Sequence, residues 1–233
     1  MELESRIKRI QSELQEAAQK WGRAPKLIAV TKTVSPERIN ELIPCGIGRI
    51  GENRVQELLK KMPYLDASFQ IDMIGRLQIN KVKSIIDKVS MIQSLDRLEL
   101  AEEIDRRAQQ HELRMPVLVE VNIAGESQKG GIAPEEVAEF VKKIAAFPGL
   151  QVRGLMSVMP NLTDKEALTP FFKQMRMLYE RIRDENINHT RIDELSMGMS
   201  GDYQIAAREG ATHVRVGTAL FGSRVSAQAG ESR

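Results

Sequence analysis

Apolar residues open the chain at Leu3, Ile7, Ile10, Leu14, Ala17 and Trp21, the alternating steps of three and four that lay one stripe along an amphipathic helix. Three heptads are close to the minimum for a coiled coil, so residues 1–24 are expected to form a helix lying across the floor of a domain. After it, short apolar, β-branched runs alternate with helical patterns. The runs predict eight strands, at 27–31, 48–51, 70–74, 90–93, 117–123, 152–158, 194–197 and 212–216. Ser35 with Pro36 marks one helix start, Pro134 another, and Thr163 with Glu166 reads as a capping box. The helix after Thr163 carries Ala167, Leu168, Phe171, Met175, Leu178 and Ile182 on one face, which is a packing face.

Strict alternation of strands and helices implies a parallel sheet. Eight such units in this length match a closed (β/α)8 TIM barrel over residues 25–224. A doubly wound open sheet is the alternative, but the loop after the first strand, "TKTVSP", lacks the glycine fingerprint of a dinucleotide site. Residues 225–233, polar and without large apolar side chains, read as a disordered tail.

Composition narrows the partners. The 233 residues include 34 basic and 32 acidic side chains, a net charge of +2 with no field of one sign, so neither nucleic acid nor an anionic membrane is expected. Cys45 is the single cysteine, and the charged start "MELESRIKRI" lacks an apolar signal core. No apolar run reaches membrane-spanning length. The pattern predicts a soluble cytoplasmic protein, with a monomer as its expected state.

Candidate chemistry begins with "LIAVTKTVS", where Lys32 stands as the apolar run ends. A lysine there is either a surface residue or a Schiff-base amine. In a barrel, function collects at the C-terminal ends of the strands. Two loops stand out there, "SMGMSGD" and "RVGTALFG", after strands seven and eight. Their small residues either make tight turns or form a phosphate cup, in which backbone N–H groups approach an anion and helix N-termini favour it. Ser200, Gly217 and Thr218 are the candidate contacts. A strand-end lysine facing a phosphate site at the opposite seam suits a phosphorylated aldehyde, and pyridoxal 5′-phosphate (PLP) is the obvious one. No zinc spacing and no nucleophile, histidine and carboxylate set emerges from His111, His189 and His213.

Together "AVTKTVS", "IGENRVQE", "IGRLQINK", "VNIAGESQKGG", "RGLMSVMP", "LSMGMSGD" and "VRVGTALFG" resemble the pyridoxal phosphate homeostasis protein family, single-domain relatives of the alanine racemase barrel of fold type III. The resemblance runs in order from about Leu27 to Arg224. It implies that Lys32 forms the internal aldimine, that Arg215 faces the pyridine nitrogen, and that Ser200, Gly217 and Thr218 hold the phosphate. It implies further that Asn53 and Ser196 line the pocket. Asp72 stands where that family often has histidine, and Arg54 where an aromatic is frequent; both are expected near strand ends, altering what passes over the cofactor.

An arginine at the pyridine nitrogen can only donate and stays charged, so it disfavours protonation of that nitrogen and weakens the ring as an electron sink. Racemisation also needs a second acid/base, which in alanine racemases a C-terminal β-domain and the partner subunit help supply. Only residues 223–233 follow the last unit, and no second domain is expected. The expected function is therefore a non-catalytic PLP carrier that limits free aldehyde, accepts amino acids by imine exchange, and hands the cofactor to recipient proteins. An amino-acid racemase is the alternative, and a sugar-phosphate aldolase a third.

Overall fold

The computed structural model describes residues 2–126 and 128–222; the expected tail at 225–233 lies outside them. Eight strands close into one all-parallel barrel in chain order. They are β1 (Lys26–Val30), β2 (Arg49–Glu52), β3 (Gln70–Met73), β4 (Met91–Leu95), β5 (Met115–Glu120), β6 (Leu150–Met156), β7 (Glu194–Ser196) and β8 (His213–Val216). Pairing of Lys26 through Ala29 with His213 through Val216 closes the ring. Strands β5 and β6 begin two residues before the expected runs and end sooner. Val121, Ile123 and Met159 continue the apolar pattern beyond the ladder because they stay buried in the loops above it.

The helices are α1 (Glu2–Ala17), α2 (Pro36–Asn40), α3 (Val55–Lys61), α4 (Leu98–Gln110), α5 (Val137–Ile144), α6 (Thr169–Asp184), α7 (Tyr203–Arg208) and α8 (Thr218–Phe221). Between β3 and β4 runs a 3-10 turn, Ile79–Ser84. Helix α1 buries Leu3, Ile7, Ile10 and Leu14. It packs along the flank made by α7 and α8 and not across the floor. Its C-terminal half reaches the strand starts, where Gln11, Leu14 and Gln15 border a cavity with Lys26, Gly48 and Gln70. Trp21 anchors the exit: its indole N–H donates to the Arg208 carbonyl at 3.0 Å, and the Arg176 guanidinium lies 4.3 Å from its ring centre.

Ser35 caps α2, accepting the Arg38 N–H at 3.4 Å with Pro36 at the first helical position. The other two expected starts are displaced. Helix α5 begins at Val137, after a turn at 134–136. The Thr163–Glu166 capping box does not form: Asp164 accepts the Glu166 N–H at 3.0 Å and opens a 3-10 turn instead. Pro170 lacks an N–H and fits only a first turn, so α6 starts anew at Thr169. That restart shifts the phase, burying Phe172 fully, half-burying Phe171 and exposing Ala167.

The continuous apolar core lies between the strands and the helices. Inside the ring a small cluster of Met91, Leu118 and Met156 shares the space with polar side chains. Ser196 on β7 donates to Gln93 Oε1 on β4 at 2.7 Å, a bond that must cross the lumen. Gln93 in turn donates to Asp72 Oδ2 at 2.6 Å, and Arg49 Nε donates to the same oxygen at 2.9 Å. The ladder between β5 and β6 shifts register between Val117 and Leu118, where Arg153 is skipped. Arg153 then reaches Asp193 at 2.8 Å and Glu194 at 3.0 Å. Gly154 makes this possible with φ +152°, and a Cβ there would lie 1.8 Å from the Glu194 carbonyl oxygen. Gly154→Ala is expected to lower stability by at least about 3 kcal/mol in urea unfolding, and a loss under about 1 kcal/mol would show the shift to be dispensable.

Candidate functional site at the barrel mouth

Lys32 follows β1 after one residue, Thr31, and is exposed. It borders a cavity of about 450 Å³ together with Met159, Lys165, Ser200, Arg215, Gly217 and Thr218. Because β1 pairs with β8, lysine and cup sit on neighbouring strand ends, not at opposite seams. Ser200 Oγ accepts N–H groups from Gly217 at 3.1 Å and Ala219 at 3.3 Å, so two backbone donors converge on one point. Gly198, at φ +91°, lets the preceding loop tuck in; a Cβ there would meet Ala206 Cβ at 2.4 Å. Helices α7 and α8 have six and four residues. Converging N–H groups, and not long helix dipoles, therefore make this spot attractive to an anion.

Arg215 forms the cavity's base and is only 3% exposed. Its Nη1 donates to Ser196 Oγ and its Nη2 to the Ser157 carbonyl, both at 2.7 Å. Burial lowers its pKa to about 10, against the pull of Glu120 and Asp202, so it stays cationic at neutral pH. Glu120 is pushed up to about 7, first by burial and then by Asp96, with Arg215 and Arg76 opposing. Asp202 borders the same cavity, accepts the Met199 N–H at 2.5 Å and is raised by burial.

Two of the expected lining residues lie elsewhere. Ser196 is fully buried beneath Arg215 and holds that guanidinium. Asn53 lines a separate groove of about 960 Å³ with Arg54, Arg76 and Lys81, its Oδ1 buried without a hydrogen-bond partner among the described residues. Arg54 belongs to that groove as well. Asp72, one residue before the end of β3, turns into the barrel and is linked through Gln93 and Ser196 to Arg215. Burial raises its pKa to about 6 despite Arg49. Sequence reasoning passed over Lys129, Lys165, Glu120 and Asp202. Lys129 stood inside the quoted glycine-rich "VNIAGESQKGG" and Asp202 at the end of "SMGMSGD", the only signals available.

A parallel barrel with an amine and an N–H cup at the C-terminal ends of its first and last strands is an architecture of the alanine racemase class. The family model for the alanine racemase N-terminal domain matches residues 6–225. The pyridoxal phosphate homeostasis protein of Aquifex aeolicus is 44% identical over 94% of this chain and 97% of its own. Its namesake in Pasteurella multocida is 35% identical over 96% and 98%. PipY of Synechococcus elongatus, solved with PLP bound, superposes with a TM-score of 0.84 at 30% identity over 94% of this chain and all of its own. Alanine racemase of Clostridium difficile, at 15% identity and a TM-score of 0.76 over 99% of this chain and 62% of its own, shares the fold. The chain thus belongs to the pyridoxal phosphate homeostasis protein family, within the alanine racemase N-terminal domain group.

Glu120 gives the site a pH signature. Its folded pKa of about 7 exceeds the ordinary 4.5, so the folded protein holds this proton more tightly than the unfolded chain. Its stabilising contribution is complete below the ordinary value and is lost as the pH rises through the folded one. Glu120→Gln should flatten the fall in unfolding free energy across that interval, measured by urea titration at several pH values. An unaltered slope would show that this carboxyl titrates normally.

Proposed function

We propose that this protein binds PLP at the barrel mouth, attaches it covalently through Lys32, and serves homeostasis of the cofactor by holding it without strong turnover. One observation carries the reading: an exposed lysine, converging N–H donors and a buried arginine border a single cavity. Similarity to PipY solved with PLP, and to relatives named for homeostasis of that cofactor, supports it. The cofactor supplies an aldehyde that condenses with a primary amine, forming a carbon–nitrogen double bond and releasing one water.

The residues fit such a ligand. Lys32 offers the amine. Ser200, Gly217, Thr218 and Ala219 offer hydroxyl and backbone donors to a phosphate, with the Lys165 ammonium on the same wall. Arg215 presents a donor-only cation at the base, which would keep a ring nitrogen placed beside it unprotonated. That choice suits retention over carbanion chemistry, since an unprotonated ring withdraws electrons weakly.

Borohydride reduction of the PLP-loaded protein followed by peptide mapping should place the label on Lys32, and a label mainly on Lys26 or Lys81 would overturn the assignment. Pyridoxal without its phosphate should bind about 10- to 100-fold more weakly, the worth of losing charge-assisted hydrogen bonds. Amino acids should shift the visible spectrum without saturable exchange of the α-proton into heavy water. Rapid exchange that disappears in Lys32→Ala would establish racemase-type chemistry in place of a carrier.

A further inference from the structure

Lys60 and Lys61 are adjacent at the end of α3, yet Lys60 is exposed and Lys61 is only 8% exposed. A buried lysine needs partners for three N–H donors. Lys61 Nζ has three, donating to Glu57 Oε1 at 2.6 Å, the Thr31 carbonyl at 2.7 Å and Glu52 Oε1 at 2.9 Å. Thr31 Oγ1 donates to the same Glu52 oxygen at 2.6 Å. Glu57 also accepts the Thr33 N–H. None of these contacts involves the cavity wall.

Their placement along the chain is what matters. Thr31 contributes the carbonyl of the peptide that precedes the Lys32 Cα, and Thr33 the N–H of the peptide that follows it. The Lys61–Glu57 pair therefore grips both peptide planes on which the direction of the Lys32 side chain depends. Thr33 sits at φ +62°, a left-handed conformation that a β-branched residue adopts only when its surroundings impose it. Its hydroxyl also donates to the Lys32 carbonyl at 2.7 Å.

We infer that Lys61, together with Glu57, is a positioning residue: it holds the strained turn at 31–33 so that the Lys32 amine points into the cavity for condensation with the ligand's aldehyde. The inference rests on the reading that Lys32 carries the cofactor. The clamp acts on the amine's direction alone, so it strengthens the covalent step and leaves non-covalent docking in the cup unchanged.

The test compares PLP with pyridoxine 5′-phosphate, which has an alcohol in place of the aldehyde and cannot condense with an amine. Affinities of both are titrated for the wild type, Lys32→Ala, Lys61→Met and Glu57→Ala, with circular dichroism melts confirming folding. The wild type should prefer the aldehyde and Lys32→Ala should show no preference. Lys61→Met and Glu57→Ala should each cut the preference about tenfold while pyridoxine phosphate binding stays within about twofold, the sensitivity expected of a misdirected reacting group. An unchanged preference in both variants, or an equal loss for both ligands, overturns the clamp while leaving Lys32 assigned. A wild type without preference, or a preference that survives in Lys32→Ala, overturns the Lys32 reading itself. Should Lys61→Met fail to fold, Glu57→Ala decides, because it leaves the ammonium paired with Glu52.

Discussion

Sealing a guanidinium inside a closed ring of strands is the constraint to which the rest of this barrel's interior answers. Barrel lumens are ordinarily packed with layers of branched apolar side chains, and an unpaired charge there is strongly destabilising. Arg215 is accommodated because Ser196 and the Ser157 carbonyl accept from it and because Glu120 and Asp202 lie close enough to favour its charge. Ser196 passes its own proton donation to Gln93, Gln93 to Asp72, and Arg49 balances the carboxylate at the far end. The donors from Arg215 through Ser196 and Gln93 all point toward Asp72, where Arg49 meets the carboxylate from the other end, so each bond polarises the next. One buried cation at the site thus dictates polar residues on β2, β3, β4 and β7.

Those dictated residues are also where reading the sequence falls short. Element order, strand count and closure followed from apolar runs and their spacing, since burial between helices and sheet leaves a periodic trace. Lys32, Ser200, Gly217 and Thr218 were legible because strand ends are marked by a change of pattern, Arg215 through the family resemblance alone, and these residues do meet at one cavity. Lumen-facing polar residues leave no such trace. Gln93 and Asp72 look like interruptions of a strand, and the partner of each lies on another strand. Asn53 was carried toward the pocket by its neighbourhood in "IGENRVQE", yet the turn into α3 directs it to the adjacent groove. Lys61 was invisible beside Lys60, because nothing in "LLKKM" says which of two lysines a helix end turns inward.

The pairing of β1 with β8 that completes the ring bears on how the site comes into being during synthesis. Lys32 emerges from the ribosome well before Gly217 and Thr218 do. No local contact brings them together, and the long-range closure that does so is a slow step in folding. An incomplete chain carries a reactive-looking amine with no cup beside it. A phosphorylated ligand held as proposed, between Lys32 and the cup, would bridge β1 and β8 and act as a bolt across the last seam to form.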